Sequence, residues 1–135
     1  MIKITKTYTD YNGVEKTEDF YFNLEQSEVI KMEASYEGGL SAAVNRATAA
    51  KDMPTLLTIF EDLVLLAYGV KSGDGRRFIK TPEVKEDFKY CKAFSMIYTE
   101  LATNAEAAAE FVNGIAPDEH KEEVKKATAQ ALKAE

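Results

Sequence analysis

The fold of this chain is decided by residues 56–82, which read LLTIFEDLVLLAYGVKSGDGRRFIKTP. The first half of this stretch is the most apolar segment of the protein, and only Thr58, Glu61 and Asp62 interrupt it. At helical spacing its apolar residues cover several faces, so a helix there must be packed on several sides. The pattern predicts the central helix of the core, with Phe60 and Leu63 buried.

Both ends of this helix carry recognisable signals. Asp52 is an acidic N-cap candidate, and Pro54 falls in the first turn, where a missing N–H costs nothing. Gly69 is expected to end the helix because glycine readily adopts the left-handed conformation. A basic, glycine-rich loop then continues to residue 80, and the Thr-Pro-Glu sequence at 81–83 predicts the start of the next helix.

The loop places two guanidinium groups beside two large apolar side chains, in Arg76-Arg77-Phe78-Ile79-Lys80. One interpretation is that Phe78 and Ile79 hold the loop on the core while the charges stay in water. The other is that an arginine beside an aromatic ring marks an interface anchor, since interfaces are enriched in both. The hypothesis for the partner-binding site is Arg76, Arg77, Phe78 and Lys80, in contact with a client protein or a neighbouring subunit.

The remaining patterns predict an α+β fold that is mostly α. Alternation in residues 2–22 predicts a β-hairpin with Asn12-Gly13 in its turn. Helical spacing predicts five helices, near residues 24–35, 40–51, 54–68, 82–102 and 103–116. The expected architecture is therefore an N-terminal β-hairpin packed on a bundle of about five helices.

Length and composition suit one domain. A chain of 135 residues with 45% hydrophobic and 30% charged residues can bury a single core. We expect one globular domain over residues 1–117, made of the hairpin (1–22) and the helical bundle (23–117). Residues 118–135 alternate Lys with Glu and carry few sizeable apolar groups, which predicts a weakly packed charged tail.

Charge and hydropathy limit the classes of partner that this chain is expected to bind. The net charge of −6 argues against nucleic acid, which favours a basic face, although residues 69–92 hold seven basic and four acidic residues. The longest apolar run is too short to span a bilayer and no signal-peptide pattern opens the chain, so we expect no membrane partner and a cytoplasmic location. The single Cys91 allows neither an internal disulfide nor a thiolate metal site.

No group of residues has the spacing of a catalytic, metal or cofactor site. The glycines of the basic loop lack the Gly-Lys-Ser/Thr of a P-loop. Glu61-Asp62 and Glu86-Asp87 are adjacent on predicted helices, so the members of each pair diverge and do not form a paired-carboxylate site. His120 lies in the charged tail with no other His or Cys near it. We therefore expect a protein that is not an enzyme and that has no cofactor.

The order and spacing of several segments resemble a known family. The segments are Phe20-Tyr21-Phe22-Asn23-Leu24, Tyr36-Glu37-Gly38-Gly39-Leu40, Ala67-Tyr68-Gly69, Asp74-Gly75-Arg76-Arg77-Phe78-Ile79-Lys80 and Glu110-Phe111-Val112. Spread over residues 8–117, they resemble the tail assembly chaperones of long-tailed (siphovirus-type) phages and prophages. The resemblance is most distinctive from Ala67 to Lys80.

The resemblance implies a function and a set of partners. Such chaperones bind the long, apolar tape measure protein in the host bacterial cytoplasm, keep it soluble until the tail tube forms, and are absent from the mature virion. Many are also made in a longer form by frameshifting, whose extension helps to recruit the major tail tube protein. A homo-oligomer is a further candidate assembly. The alternative interpretation is a prophage-encoded regulatory or adaptor protein that binds another phage or host protein.

Overall fold

A computed structural model describes residues 1–117 of the chain. Within this range four strands and six helices follow one another: β1 (Ile2–Thr9), β2 (Glu15–Phe22), α1 (Gln26–Ala34), α2 (Leu40–Ala49), α3 (Met53–Ala67), β3 (Tyr68–Lys71), β4 (Phe78–Ile79), α4 (Pro82–Lys89), α5 (Lys92–Thr103) and α6 (Ala105–Ile115). The fold is α+β and mostly α, as the sequence predicts. The predicted charged tail, residues 118–135, lies outside the described residues.

The N-terminal hairpin forms as predicted. Strands β1 and β2 pair antiparallel, from Ile2 opposite Phe22 to Thr9 opposite Glu15. At the turn, the Asp10 carboxylate accepts hydrogen bonds from the backbone N–H groups of Asn12 and Val14, both at 2.9 Å. Gly13 has a φ of 80°, the left-handed conformation that favours glycine at such turns.

A second hairpin replaces the predicted basic loop. Strand β3 pairs with β2, strand β4 pairs with β3, and the sheet order is β1-β2-β3-β4. The expectation that Gly69 ends the central helix in a left-handed conformation is wrong, because the helix ends at Ala67 and Gly69 lies in β3. Glycine is needed there for a different reason: a Cβ on Gly69 would lie only 2.8 Å from the ring of Phe78.

The central helix α3 begins as predicted, with the Asp52 carboxylate accepting a hydrogen bond from the N–H of Thr55 at 3.2 Å. Leu63 is buried, but Phe60 is only half-buried, with its ring 5.9 Å from that of Tyr98. The core assignment therefore holds for Leu63 and only in part for Phe60.

The helix predicted over residues 82–102 is two helices. The Thr81 hydroxyl caps α4 as expected, by accepting from the N–H of Val84 at 3.3 Å. The helical backbone then stops at Tyr90, and α5 begins after Cys91. This break brings the rings of Phe88 and Phe94 edge to face, 5.3 Å apart. The apolar period continues across it, which is why the pattern predicts one helix.

Two clusters of buried side chains form the core. The larger lies between the sheet and helices α1 and α3 to α6, and five of its aromatic members are joined by ring contacts: Phe20, Phe22, Tyr68, Phe88 and Phe111. The smaller cluster joins α2 to α3 through Leu40, Ala43, Val44, Ala47, Leu56 and Ile59. This smaller cluster holds α2 against α3, beside the groove described below.

Candidate functional site

The turn between β3 and β4, residues 72–77, is here called the tip. The Ser72 N–H donates to the Arg77 carbonyl at 2.8 Å, and the Arg77 N–H donates to the Ser72 hydroxyl at 3.0 Å. The Asp74 carboxylate accepts from the Ser72 hydroxyl and the Arg76 N–H, and these bonds lower the pKa of Asp74. The network fixes the backbone that presents Arg76 and Arg77, both exposed and without an ion pair among residues 1–117.

Phe78 and Lys80, predicted to act with the two arginines, lie below the tip. Phe78 is half-buried, and its ring packs on Gly69. The Lys80 ammonium donates to a Glu28 carboxylate oxygen and to the Asn23 carbonyl, each at 2.7 Å. Because Lys80 is committed to these internal contacts, the exposed positive charge of the hypothesised site belongs to Arg76 and Arg77.

A second lysine, Lys85 on α4, closes the end of the central helix. Its amino group donates hydrogen bonds to the carbonyls of Leu65, Leu66 and Tyr68, the Leu66 bond measuring 2.9 Å. These carbonyls lie where α3 gives way to β3, and the last carbonyls of a helix have no partner within it. Burial, followed by the positive charge of Lys80, lowers the pKa of Lys85 to about 7. Lys85 is therefore a structural cap.

An acidic cleft of 670 Å³ lies between the inner face of β2 and helix α4. Its lining residues are Tyr8, Lys16, Glu18, Phe20, Tyr68, Glu83, Glu86, Asp87, Phe88, Tyr90 and Cys91. The Lys16 ammonium is paired with Asp10 at 3.0 Å, which leaves four carboxylates around an aromatic floor. We call this groove the acidic cleft.

Two of these carboxylates, Glu18 and Asp87, raise the pKa of tyrosines on this floor. Burial raises the pKa of Tyr68, and the negative charges of Asp87 and Glu18 raise it further. The hydrogen bond that Tyr8 donates to Glu18 strongly raises the pKa of Tyr8. A carboxylate raises the pKa of a tyrosine because it disfavours a second negative charge nearby.

Sequence reasoning missed the acidic cleft, although part of its signal was present. Glu83, Glu86 and Asp87 follow the i, i+3, i+4 spacing that puts three carboxylates on one face of a helix. Taken as an adjacent pair, Glu86 and Asp87 diverge and predict no site. Glu18 comes from a distant strand, and no local pattern places it opposite α4.

A longer groove, here called the helical groove, runs between helices α1, α2 and α3. One segment of 620 Å³ lies between α2 and α3, and a second of 410 Å³ lies between α1 and α3. The two segments share Tyr36 and Asp62. The apolar residues of the α2–α3 segment include Ala43, Ala47, Ala50 and Ile59, which form its floor. The polar residues of its rim include Arg46, Asp52, Thr55 and Thr58.

Asp62 stands at the junction of the two segments. Burial raises its pKa, the charge of Glu61 raises it further, and the charge of Lys89 acts in the opposite direction. Burial, followed by the charge of Asp62, also raises the pKa of Tyr36. No salt bridge neutralises Asp62 within residues 1–117. The groove therefore contains a carboxylate that a positively charged group would stabilise.

Replacing Asp62 with asparagine should raise the melting temperature at neutral pH. The pKa of Asp62 is raised in the folded protein, so folding disfavours its ionised form. This loss of stability is fully present at pH values above the folded pKa. It is absent below the pKa of the unfolded chain, where the carboxyl group is protonated in both states. Asp62 is exposed, so water screens much of this cost and the gain should stay below about 1 kcal/mol, which corresponds to roughly 4–8 °C in a small domain. Thermal unfolding from acidic to neutral pH would test this. The wild-type and D62N curves should converge as the pH falls, whereas the control E37Q, at an exposed position that does not line the groove, should show no such convergence.

Neither a metal centre nor a membrane span is found in the described part of the chain. In residues 1–117 no three His, Cys, Asp or Glu side chains are grouped so that they could hold a metal ion. No helix in that range is long and apolar enough to cross a bilayer. The structure is that of a small α+β protein whose distinctive surfaces are a basic tip and two open grooves.

The family of this protein follows from its sequence. The profile of the family described as phage tail assembly chaperone matches residues 1–135, which is the whole chain. The chain belongs to this family, as the resemblance of its segments indicated. No curated protein and no solved structure matches it.

Proposed function

We propose that this protein binds the tape measure protein of a long-tailed phage and keeps it soluble until the tail tube forms around it. Membership of the tail assembly chaperone family is the observation that carries this proposal. The protein would act without catalysis, in the host bacterial cytoplasm, and would not remain in the mature virion. The major tail tube protein is a second candidate partner.

The helical groove is the surface that best fits such a client. An amphipathic helix binds by placing its apolar face in a hydrophobic groove between helices. The alanine floor leaves room for a close helix contact, and Ile59 adds apolar surface to it. Asp62 would then pair with a Lys or Arg of the client, which offsets the desolvation that raises the pKa of this carboxyl group. The expected occupant is an amphipathic helix with a basic residue beside its apolar stripe.

Co-expression with the tape measure protein tests both the function and the groove. The wild type should hold the client in the soluble fraction. The double variant A50K/T58K puts two long cations on exposed positions that line the groove, where they should block the client and repel its basic residue. Binding should weaken tenfold or more, about 1.4 kcal/mol.

A matched control separates the groove from a general effect of charge. The variant A49K/T99K adds the same two charges at exposed helical positions that do not line the groove, and it should behave as the wild type. A wild type that leaves the client insoluble would contradict the proposed function. Equal solubilisation by A50K/T58K would contradict the groove assignment alone.

A further inference from the structure

The described part of the chain ends beside one end of the helical groove. The N–H of Leu24 donates to the Ile115 carbonyl at 2.9 Å, and the N–H of Asn23 donates to the Ala67 carbonyl at 2.8 Å. These bonds hold the end of α6 next to the end of α3 and the residues that lead into α1. The α1–α3 segment of the groove begins there, since its lining includes the first turn of α1 and the last turn of α3. The chain therefore continues into residues 118–135 from a point close to the groove.

The length of residues 118–135 suits the length of the groove. As a helix, with a rise of about 1.5 Å per residue, these residues would be about 27 Å long. Along α3 the lining of the groove extends from Pro54 to Leu66, which is about 18 Å of helix. The segment can therefore cover the groove and leave about six residues to reach it.

The sequence of this segment has the pattern that the groove favours. At helical spacing three apolar residues fall on one face and two lysines lie beside that face: Val124, Ala127, Ala131, Lys121 and Lys125. Small side chains suit the alanine floor, because the distance between packed helices depends on the side chains at the contact. The lysines suit Asp62, which has no salt bridge in the described part of the chain.

We propose that residues 118–135 dock in the helical groove of their own chain and occupy it until a client displaces them. Lys121 or Lys125 pairs with Asp62, and the apolar face lies on the alanine floor. The sizeable apolar residues of the segment are only Val124 and Leu132, so a client helix with more apolar surface binds more strongly and takes the groove. The displacement step rests on the proposed function, whereas the docking does not.

The chain's own segment is the favoured occupant because it is joined to the fold beside the groove. Such a connection makes docking an intramolecular step, with an effective concentration in the millimolar range when the linker is short. A contact too weak to hold two separate molecules together can therefore fill the groove within one chain.

Paramagnetic broadening of amide NMR signals tests the docking in the full chain. A nitroxide label is attached at Q130C, in a C91A background that leaves the label one site, and it broadens the signals of nearby amides. The signals of the groove residues Ala47 and Thr55 should weaken, and they should recover when the label is reduced. A mixture of label-free, isotope-labelled protein with nitroxide-labelled protein that carries no isotope reports contacts between copies, and it should show little broadening.

Reversing charges in the segment tests the pairing with Asp62. The variant K121E/K125E places acids where the lysines would meet this carboxylate, so the groove signals should recover. The control K126E/K133E makes the same change of charge on the opposite face of the segment, and the groove signals should stay broadened.

Reversal on the groove side completes the test. The variant A50K/T58K adds cations at positions that line the groove, where they should repel the lysines of the segment and restore the groove signals. The variant A49K/T99K adds the same charges away from the groove and should leave the signals broadened. The spectra also show whether each variant is folded.

Three results would overturn the docking. They are groove signals that the label leaves unchanged, broadening that the mixed sample shows equally, and broadening that survives in both K121E/K125E and A50K/T58K. The experiment contains no client, so its outcome is independent of the proposed function.

Client affinity tests the displacement step by itself. The variant K121E/K125E should bind the tape measure protein more tightly than K126E/K133E does. The gain should be about tenfold if the groove is open about one-tenth of the time, because the apparent affinity scales with the fraction of open groove. Equal affinities of the two variants would overturn the displacement step.

Discussion

Replacing Phe88 with alanine should lower the free energy of unfolding by about 3–5 kcal/mol. The Phe88 side chain is 1% exposed, and its ring stacks on that of Tyr68 at 4.1 Å. It also contacts the rings of Phe20, Phe22 and Phe94, so it joins β2, β3, α4 and α5. Alanine would remove all of these contacts and leave a cavity that a close-packed core cannot fully collapse.

Chemical denaturation is the direct measurement of this effect. A loss of 3–5 kcal/mol is a large part of the roughly 5–15 kcal/mol by which a domain is stable, so the unfolding midpoint should fall markedly. The control Y90A lies two residues further along and removes a 71% exposed ring, so it should stay within about 0.5 kcal/mol of the wild type. A change below about 1 kcal/mol for F88A would show that α4 is not part of the cooperative core.

The elements with long periodic patterns could be predicted from the sequence. The N-terminal hairpin has eight-residue strands and an Asn-Gly turn, and the helix after Asp52 has an acidic cap and a long apolar run. Each of these signals is local, since the residues that make it lie within one element. In these elements the apolar period, the helix cap and the turn residues all indicate the same local structure, and the observed fold has that structure.

The second hairpin could not be predicted because its strands are too short to show a period. β3 has four residues and β4 has two, and they are separated by a polar turn with two glycines. What holds them is the pairing of Tyr68 with Phe22, which is distant in sequence, and the packing of Phe78 on Gly69 across the turn. The sequence alone does not distinguish a glycine that allows a close side-chain contact from a glycine that ends a helix.

The candidate surfaces were predictable only in part, for the same reason. Arg76 and Arg77 are exposed on a turn, as the run of basic residues indicates. Lys80 follows them in sequence, yet its ammonium reaches back to Glu28, 52 residues away. Both grooves lie between several elements, so the sequence contains the residues that line them but does not show which of these residues face each other.

Replacing Lys85 with methionine should cost about 1–3 kcal/mol in mildly alkaline buffer, the usual penalty for leaving buried hydrogen-bonding groups unpaired. Methionine keeps much of the length and apolar stem of lysine but has no N–H, whereas even the neutral amine of Lys85 can donate to two of the carbonyls of Leu65, Leu66 and Tyr68. The last carbonyls of α3 would lose their hydrogen-bond donor at the point where the chain turns into β3. The control K89M makes the same change on an exposed residue of the same helix and should be close to neutral.

The pH dependence of this difference distinguishes a lost cap from a simple packing change. The pKa of Lys85 is lowered to about 7 in the folded protein, whereas the unfolded chain holds the proton to a much higher pH. Between these values the unfolded state binds more protons, so the stability of the wild type rises with pH. The K85M variant lacks this group, and the gap between the two proteins should therefore widen from neutral towards alkaline pH. Denaturation midpoints of the two proteins, measured across that pH range, test this. A difference between the midpoints that does not change with pH would mean that Lys85 acts through its aliphatic stem. A difference that narrows towards alkaline pH would mean that the folded protein favours the ammonium form of Lys85.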